Sequence, residues 1–497
     1  MQDSNRRKFL HMSTLAGLSA GIGVSCASTL GDRTTDKLSQ APLSDISAEK
    51  TKMTPKPTTV NEKNIIDDIR SLIDNTPFVD THEHLWEESH RIASLDQPNE
   101  WHIAPADFSI FFNQYSLHDL ESAGMSSASL SRFNSHEVEP EEKWQLVKPY
   151  YAATRHTGYL QCTRESLRML LGEHDFEASN VNEISRMVRD LIKPGYYHHI
   201  LKDVSNIEYA QVNSLERTPF METEYPELLT QDLSFLLFSN SIDLGLGRLA
   251  DIEVNSLEAW HEVIDWCFAT YGPRAIAVKN QGAYMRRLDY APVPAKDAAP
   301  VFERFIKDAS SLSDTDHKLI QDHLFHYCIA KATEYKLPVK LHTGYYSGVR
   351  YMSLARLKNN ASDMCAILNQ YRDTPFVLMH INYPYQDEVI ALAKHYPNVY
   401  IDMCWAWIIN PLASKRFLKE YLLTAPANKI LTFGGDFKPV EQVPGHAYIA
   451  RKGIAGALTE LVAEHWISVS EIDSLVERLM RGNAHALFDY EGVLSQW

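Results

Sequence analysis

A chain of 497 residues with 44% hydrophobic and 10% aromatic content can bury a large core. Its 64 acidic and 48 basic residues give a formal net charge of -16, which argues against the basic face of a nucleic-acid binder. An acidic total still leaves room for a locally basic pocket that takes a small-molecule substrate.

The chain opens on Asn5-Arg6-Arg7-Lys8-Phe9-Leu10, followed by a mildly apolar run rich in Gly, Ala and Ser. An arginine pair before a short, weakly hydrophobic segment reads as a twin-arginine export signal over residues 1–26. Cys26 closes the run and resembles a lipid acceptor, with Gly23 in the place of the usual leucine. The expectation is an exported protein of the periplasm or cell envelope, with a membrane tether through a lipid on Cys26. Residues 27–61 are Ser, Thr, Lys, Asp and Pro with few large apolar residues, the composition of a disordered tether. The other five cysteines are scattered without CxxC spacing, so they read as buried free thiols.

The folded region is expected over residues 62–497. Ile65, Ile66, Ile69, Leu72 and Ile73 recur at helical spacing. Pro77 ends that helix, and Phe78–His82 reads as a strand. Residues 88–205 are polar, aromatic and helical, and read as a long insertion. After it, short apolar runs alternate with helical periodicity at Ile207–Val212, Phe235–Phe238, Ala275–Lys279, Val339–His342, Phe376–His380, Val399–Cys404 and Ile430–Phe433. Strands alternating with helices imply parallel βαβ units, and eight of them imply an α/β fold of the (β/α)8 TIM-barrel type.

On a strand, residues i and i+2 point the same way, so His82 and His84 can share one metal while Glu83 points away. Alone, such a triplet is a weak signal. Its position strengthens it. Lys279, His342 and His380 end later strands and Asp436 follows the eighth, and a barrel gathers all strand C-termini on one face. Leu341-His342-Thr343-Gly344 and Phe433-Gly434-Gly435-Asp436 set a ligand-type residue beside glycine at a strand-to-loop turn.

This set resembles the amidohydrolase superfamily, with its nearest likeness to the amidohydrolase-related branch of metal-dependent hydrolases. Phe78-Val79-Asp80-Thr81-His82-Glu83-His84-Leu85, Tyr400-Ile401-Asp402-Met403-Cys404-Trp405 and Gly482-Asn483-Ala484 carry the likeness. The resemblance implies one divalent ion held by His82, His84, His342 and Asp436, with zinc expected ahead of manganese or iron. It implies that His380 orients or polarises water or substrate and stabilises a developing oxyanion, and that Asp436 accepts the water's proton. Binuclear members carry a carboxylated lysine on strand four, where Lys279 stands; a single ion with Lys279 near the substrate is the expectation here.

Within the insertion, Tyr115, His118 and Asp119 and the run Arg155-His156-Thr157-Gly158-Tyr159 are mixed polar clusters of the kind that form lids and bind substrate. Arg155 can hold a carboxylate by paired hydrogen bonds. His446 is a further candidate for the mouth of the site, whereas His317, His323 and His326 read as structural or solvated. The leading expectation is hydrolysis of a small polar ester, lactone or amide by metal-activated water. The alternatives are a uronate or sugar-acid isomerase, suggested by the long helical insertion with Arg155, a metal-dependent decarboxylase, and a non-enzymatic metal- or sugar-binding lipoprotein.

Overall fold

Eight parallel strands follow one another around the sheet in chain order. They are β1 (Phe78–Glu83), β2 (Ile207–Val212), β3 (Leu229–Ser234), β4 (Ala275–Asn280), β5 (Val339–Leu341), β6 (Phe376–Leu378), β7 (Val399–Asp402) and β8 (Ile430–Leu431). The structure is a computed structural model that describes residues 62–97, 103–348 and 352–497. The expected export segment, tether and Cys26 lie outside those residues. Beyond β8 the chain continues along β1 and nearly closes the barrel: Thr81 N–H donates to Phe433 O at 3.0 Å, Asp436 N–H to His82 O at 2.8 Å and His84 N–H to Phe437 O at 2.9 Å. Helices fill the connections, so the architecture is a (β/α)8 barrel.

The third strand corrects the sequence reading. It is Leu229–Ser234, and the apolar run read as a strand is instead the helical turn Leu236–Ser239. All six β3 residues are buried, the polar ones included. Asp232 accepts from Lys340 Nζ at 2.8 and 2.9 Å, and the same ammonium donates to Thr81 O at 2.9 Å. A charged pair inside the barrel thus disguises β3 as a polar loop. Below that pair, Val79, Ile276, Val377 and Leu431 meet Phe488 and Val493, which plug the lower end.

The first helix, α1 (Glu62–Asn75), buries Ile69 and Ile73. The insertion carries α2 (Glu88–Ala93), α3 (Tyr115–Ser122), α4 (Ser127–Phe133), α5 (Pro140–Thr154), α6 (Gly158–Leu171) and α7 (Val181–Leu191). It has its own aromatic core, where Phe108, Phe112, Phe133, Trp144, Tyr151 and Phe176 pack ring to ring. Two devices dock it on the barrel. Arg91 of α2 pairs with Glu441 at 3.0 Å, both buried. Gly445 lies so close to α6 that a Cβ there would fall 2.1 Å from Cys162 O. Cys162, Cys267, Cys328 and Cys404 are buried free thiols, and Cys365 is free and half-buried.

Candidate metal centre and active site

Strand β1 delivers His82 and His84 to the top of the barrel, and the loop after β8 delivers Asp436 between them. Asp436 Oδ1 lies 3.0 Å from His82 Nε2 and 3.2 Å from His84 Nε2. The donor atoms of the three residues lie within 4.8 Å of one another. Glu83 points away, as the strand alternation requires, and its buried Oε2 accepts from Phe437 N–H at 2.6 Å.

The two glycines before Asp436 act through space rather than through turning. A Cβ on Gly434 would sit 2.5 Å from Cys404 Cβ, and one on Gly435 would sit 1.8 Å from Glu83 Oε1. The left-handed residue of this segment is Asp436 itself, with φ 63°. Its carbonyl accepts from Tyr115 Oη at 2.8 Å and from Gln114 Nε2 at 3.0 Å. After β6, His380, Ile381 and Asn382 are all left-handed, at φ 62°, 47° and 53°. That geometry is unfavourable for a β-branched residue and occurs where function over-determines the backbone.

Hydrogen bonds to backbone carbonyls fix which ring nitrogens carry protons. His84 Nδ1 lies 2.6 Å from Asn213 O, an acceptor only, so Nδ1 carries the hydrogen. Its Nε2 faces a carboxylate oxygen of Asp436. Two imidazole nitrogens and a carboxylate oxygen that converge at 3.0 and 3.2 Å make a donor set for a cation. Burial, reinforced by the Lys279 ammonium, holds His82 well below its ordinary pKa, so a proton on that ring does not supply the charge. Burial opposes ionisation of Asp436, yet the contacts to His82 and His84 outweigh it and hold the carboxyl well below its usual range. Two imidazoles and a carboxylate fit a divalent cation.

An open cavity of about 560 Å³ stands over this centre. Lys279, His342 and His380 line it, as expected of strand ends. Lys279 Nζ is 3.4 Å from His82 Nε2, and burial lowers its pKa to about 8. His342 Nε2 is turned to Tyr345 O at 3.2 Å, and neither of its nitrogens belongs to the close group formed by His82, His84 and Asp436. His380 Nδ1 lies 3.2 Å from Cys404 O, so its hydrogen is spent on that carbonyl. Its Nε2 is left as an acceptor, and burial lowers its pKa to about 4.

Two expected residues are elsewhere. Arg155 is half-exposed and ion-paired with Asp175 within the insertion, not among the cavity-lining residues. His446 is buried behind the β8 loop between Phe433 and Phe437, with Nδ1 3.2 Å from Gly435 O. His323 and His326 bond to Val293 O and to Tyr371 Oη and Tyr290 O, which are structural roles.

The insertion supplies what those residues do not. Tyr115 Oη lies 2.5 Å from Asp436 Oδ2, on the side away from the histidines. Burial, then Asp436, pushes its pKa well above the ordinary phenol value, so it stays a donor. Tyr159 of α6 stacks on Tyr115 at 5.3 Å. His118, Gln281, Tyr284 and Lys438 also line the cavity. Of these, His118 was read from the sequence; Lys438 and Gln281 were missed, each standing two residues after a residue that was read, Asp436 and Lys279.

With this geometry in place, comparisons with known proteins place the fold. A family model described as Amidohydrolase matches residues 274–490. That match lies in the part of the chain that carries β4 to β8. A stretch of 227 residues, 44% of this chain, is 28% identical to protein fluG of Emericella nidulans, over 25% of that protein. A stretch of 91 residues is 30% identical to a uronate isomerase of Rhizorhabdus wittichii, 18% of this chain and 20% of that one. The chain thus matches a quarter or less of the length of these curated relatives. In structure it resembles a glucuronate isomerase from Caulobacter crescentus, with TM-score 0.67, 16% identity, and coverage of 88% of this chain and 95% of that one. Together these findings are consistent with the amidohydrolase superfamily, with a likeness to uronate isomerases.

Proposed function

We propose that the protein is a metal-dependent hydrolase that cleaves an ester, lactone or amide with water. One observation carries this reading: His82, His84 and the Asp436 carboxylate converge on the floor of an open cavity. His82, His84 and Asp436 would hold the cation, zinc before manganese or iron. A divalent cation in such a site lowers the pKa of water and polarises a carbonyl.

The chain's own residues do the rest. Asp436 Oδ2 faces away from the imidazoles and can take the attacking water's proton and return it to the leaving group. Tyr115 holds that oxygen in place from the far side. His380 Nε2, with its hydrogen-free lone pair, accepts a hydrogen bond from water or from a substrate hydroxyl. The Lys279 ammonium is the cavity-floor donor that can face a developing oxyanion.

A second reading, isomerisation of a sugar acid, has its own support. The insertion after β1 brings a phenol against Asp436, and two adjacent proton carriers suit transfer between neighbouring carbons; the partial match to uronate isomerases points the same way. Export to the cell envelope, with Cys26 as lipid anchor, is proposed on the sequence alone.

Metal-depleted protein reloaded with zinc, manganese or iron(II) separates the readings on a panel of esters, lactones, amides, uronates and aryl carboxylic acids. The expected result is hydrolysis dependent on added metal, lost by about 10² to 10⁴ in Asp436→Asn, the scale for removing a general base. Ketose formation from a uronate without hydrolysis of any panel member would replace the hydrolase reading with the isomerase one.

A further inference from the structure

We propose that the substrate of this cavity is a carboxylic acid with an apolar body, its carboxylate seated on Lys438 and its body against Leu117, Leu215, Leu236 and Met285. The inference rests on the hydrolase reading of the site and adds the chemistry of what it takes.

The charge balance of the wall comes first. Among the described lining residues, the lysines are Lys279 and Lys438 and the carboxylate is Asp436. Two ammoniums against one carboxylate make the cavity locally cationic in a chain of net charge -16. Lys438 is tied down only through its backbone, whose N–H donates to Gln114 Oε1 at 2.8 Å. No hydrogen-bond or ion-pair partner stands at its Nζ among the described residues. Glu216, the carboxylate whose field it feels, is already engaged by Glu87 N–H at 2.9 Å and His90 Nδ1 at 3.3 Å. A partly buried ammonium without a partner is a seat for an anion.

The apolar side has four separate origins: α3, the loop after β2, the helical turn after β3 and the segment after β4. Leu215 and Met285 are 44% and 47% exposed, so two large apolar side chains face the open cavity uncovered. A polyhydroxylated acid would leave them so; an aromatic or aliphatic body covers them. Because Lys438 and Asp436 line one cavity, a single small substrate can reach both. An amide or ester bearing a nearby carboxylate and an aromatic or aliphatic group meets all three demands. In its hydrolysis the water oxygen bonds to the acyl carbon, the acyl–nitrogen or acyl–oxygen bond breaks, and the proton taken by Asp436 passes to the leaving atom.

Calorimetric binding to the full-length protein tests this without turnover. The probes are phenylacetate, phenylacetamide and glucuronate, each with zinc-loaded and metal-depleted protein. Phenylacetate should bind about tenfold or more tighter than either of the others, the worth of one hydrogen bond to a charged group. Lys438→Met should erase its advantage over the amide, Lys438→Arg should keep it, and Met285→Ser should shrink its advantage over glucuronate. Glucuronate binding more tightly than phenylacetate, or an unchanged preference in Lys438→Met, would overturn the proposal. Correct binding preferences with no hydrolysis of any panel member would sink the hydrolase reading instead and leave the ligand chemistry standing.

Discussion

Replacing Tyr115 by Phe tests the link between the insertion and the catalytic centre. The substitution removes one oxygen and leaves the ring stacked on Tyr159. Tyr115 is 2% exposed, and its hydroxyl lies 2.5 Å from Asp436 Oδ2 and 2.8 Å from Asp436 O. A hydrogen bond to a charged group contributes about 1.5–3 kcal/mol, and water has little room to replace this one. With that donor gone, Asp436 holds its proton more tightly. One pKa unit corresponds to about 1.4 kcal/mol, so the carboxyl should rise by about 1–2 units. In the parent, Asp436 is ionised well into the acid range, so the acid limb of kcat/KM lies low. In Tyr115→Phe the limb should move to higher pH by about that 1–2 units, and turnover at acid pH below the shifted limb should fall about tenfold or more. The assay is the pH profile of metal-loaded parent and variant on the same substrate, with bound metal measured in parallel. An acid limb in the same place, with unchanged turnover and full metal, would show that the phenol is not coupled to the carboxylate and that α3 is only a wall.

Four further outcomes follow from the geometry. His84→Ala or His82→Ala should leave a folded barrel that no longer retains stoichiometric metal; metal analysis showing one ion per chain in both variants would end the ligand assignment. Asp232→Asn should destabilise by about 3–5 kcal/mol, because it leaves the Lys340 ammonium buried without its counter-charge, while Asp232→Leu with Lys340→Met should recover most of that loss; denaturant midpoints equal to the parent's would refute it. For His118, burial lowers the pKa to about 4, so between about 6.5 and 4 the unfolded chain takes up a proton that the folded chain does not, and the parent loses stability as pH falls through that window. His118→Leu should therefore gain on the parent by about 2–3 kcal/mol between pH 7.5 and pH 4, read as the difference between two unfolding curves; a constant gap would remove the assignment. Arg6→Lys with Arg7→Lys should leave the protein in the cytoplasm, and unchanged export on fractionation would make the pair incidental.

How much of this was legible in the sequence depended on whether the signal was local. Strands β4 to β8 are apolar runs, and the residues just past them, His342, His380 and Asp436, stand where a barrel collects its strand ends, so periodicity alone placed them on one cavity. Strand β3 was hidden because Asp232 turns inward to a lysine 108 residues away, and no window around Thr230-Gln231-Asp232 contains the charge that makes it a strand. Tyr115 stood out as one of a polar group, but its partner lies 321 positions on, beyond any spacing rule.

The chemistry of the histidines was harder still to read. What a ring can do at this site is set by the carbonyl that takes its other hydrogen: Asn213 O for His84 and Cys404 O for His380. Backbone carbonyls are the same at every position, so residue identity carries no trace of them. The ligand pair His82 and His84 could be read from strand alternation because both nitrogens were needed as lone pairs anyway. The role of His380 could not, because donor and acceptor differ only by the tautomer that a loop carbonyl selects. The same limit applies to Gly434-Gly435, where the sequence suggests a turn and the structure shows two close approaches, with the unusual backbone angle carried by Asp436 itself. A left-handed aspartate held by Tyr115, Gln114 and the His82 carbonyl is a ligand positioned before any cation arrives. Its three supports come from the insertion and from β1, so the insertion is part of the machinery that sets the metal ligand, not a cover laid over a finished barrel.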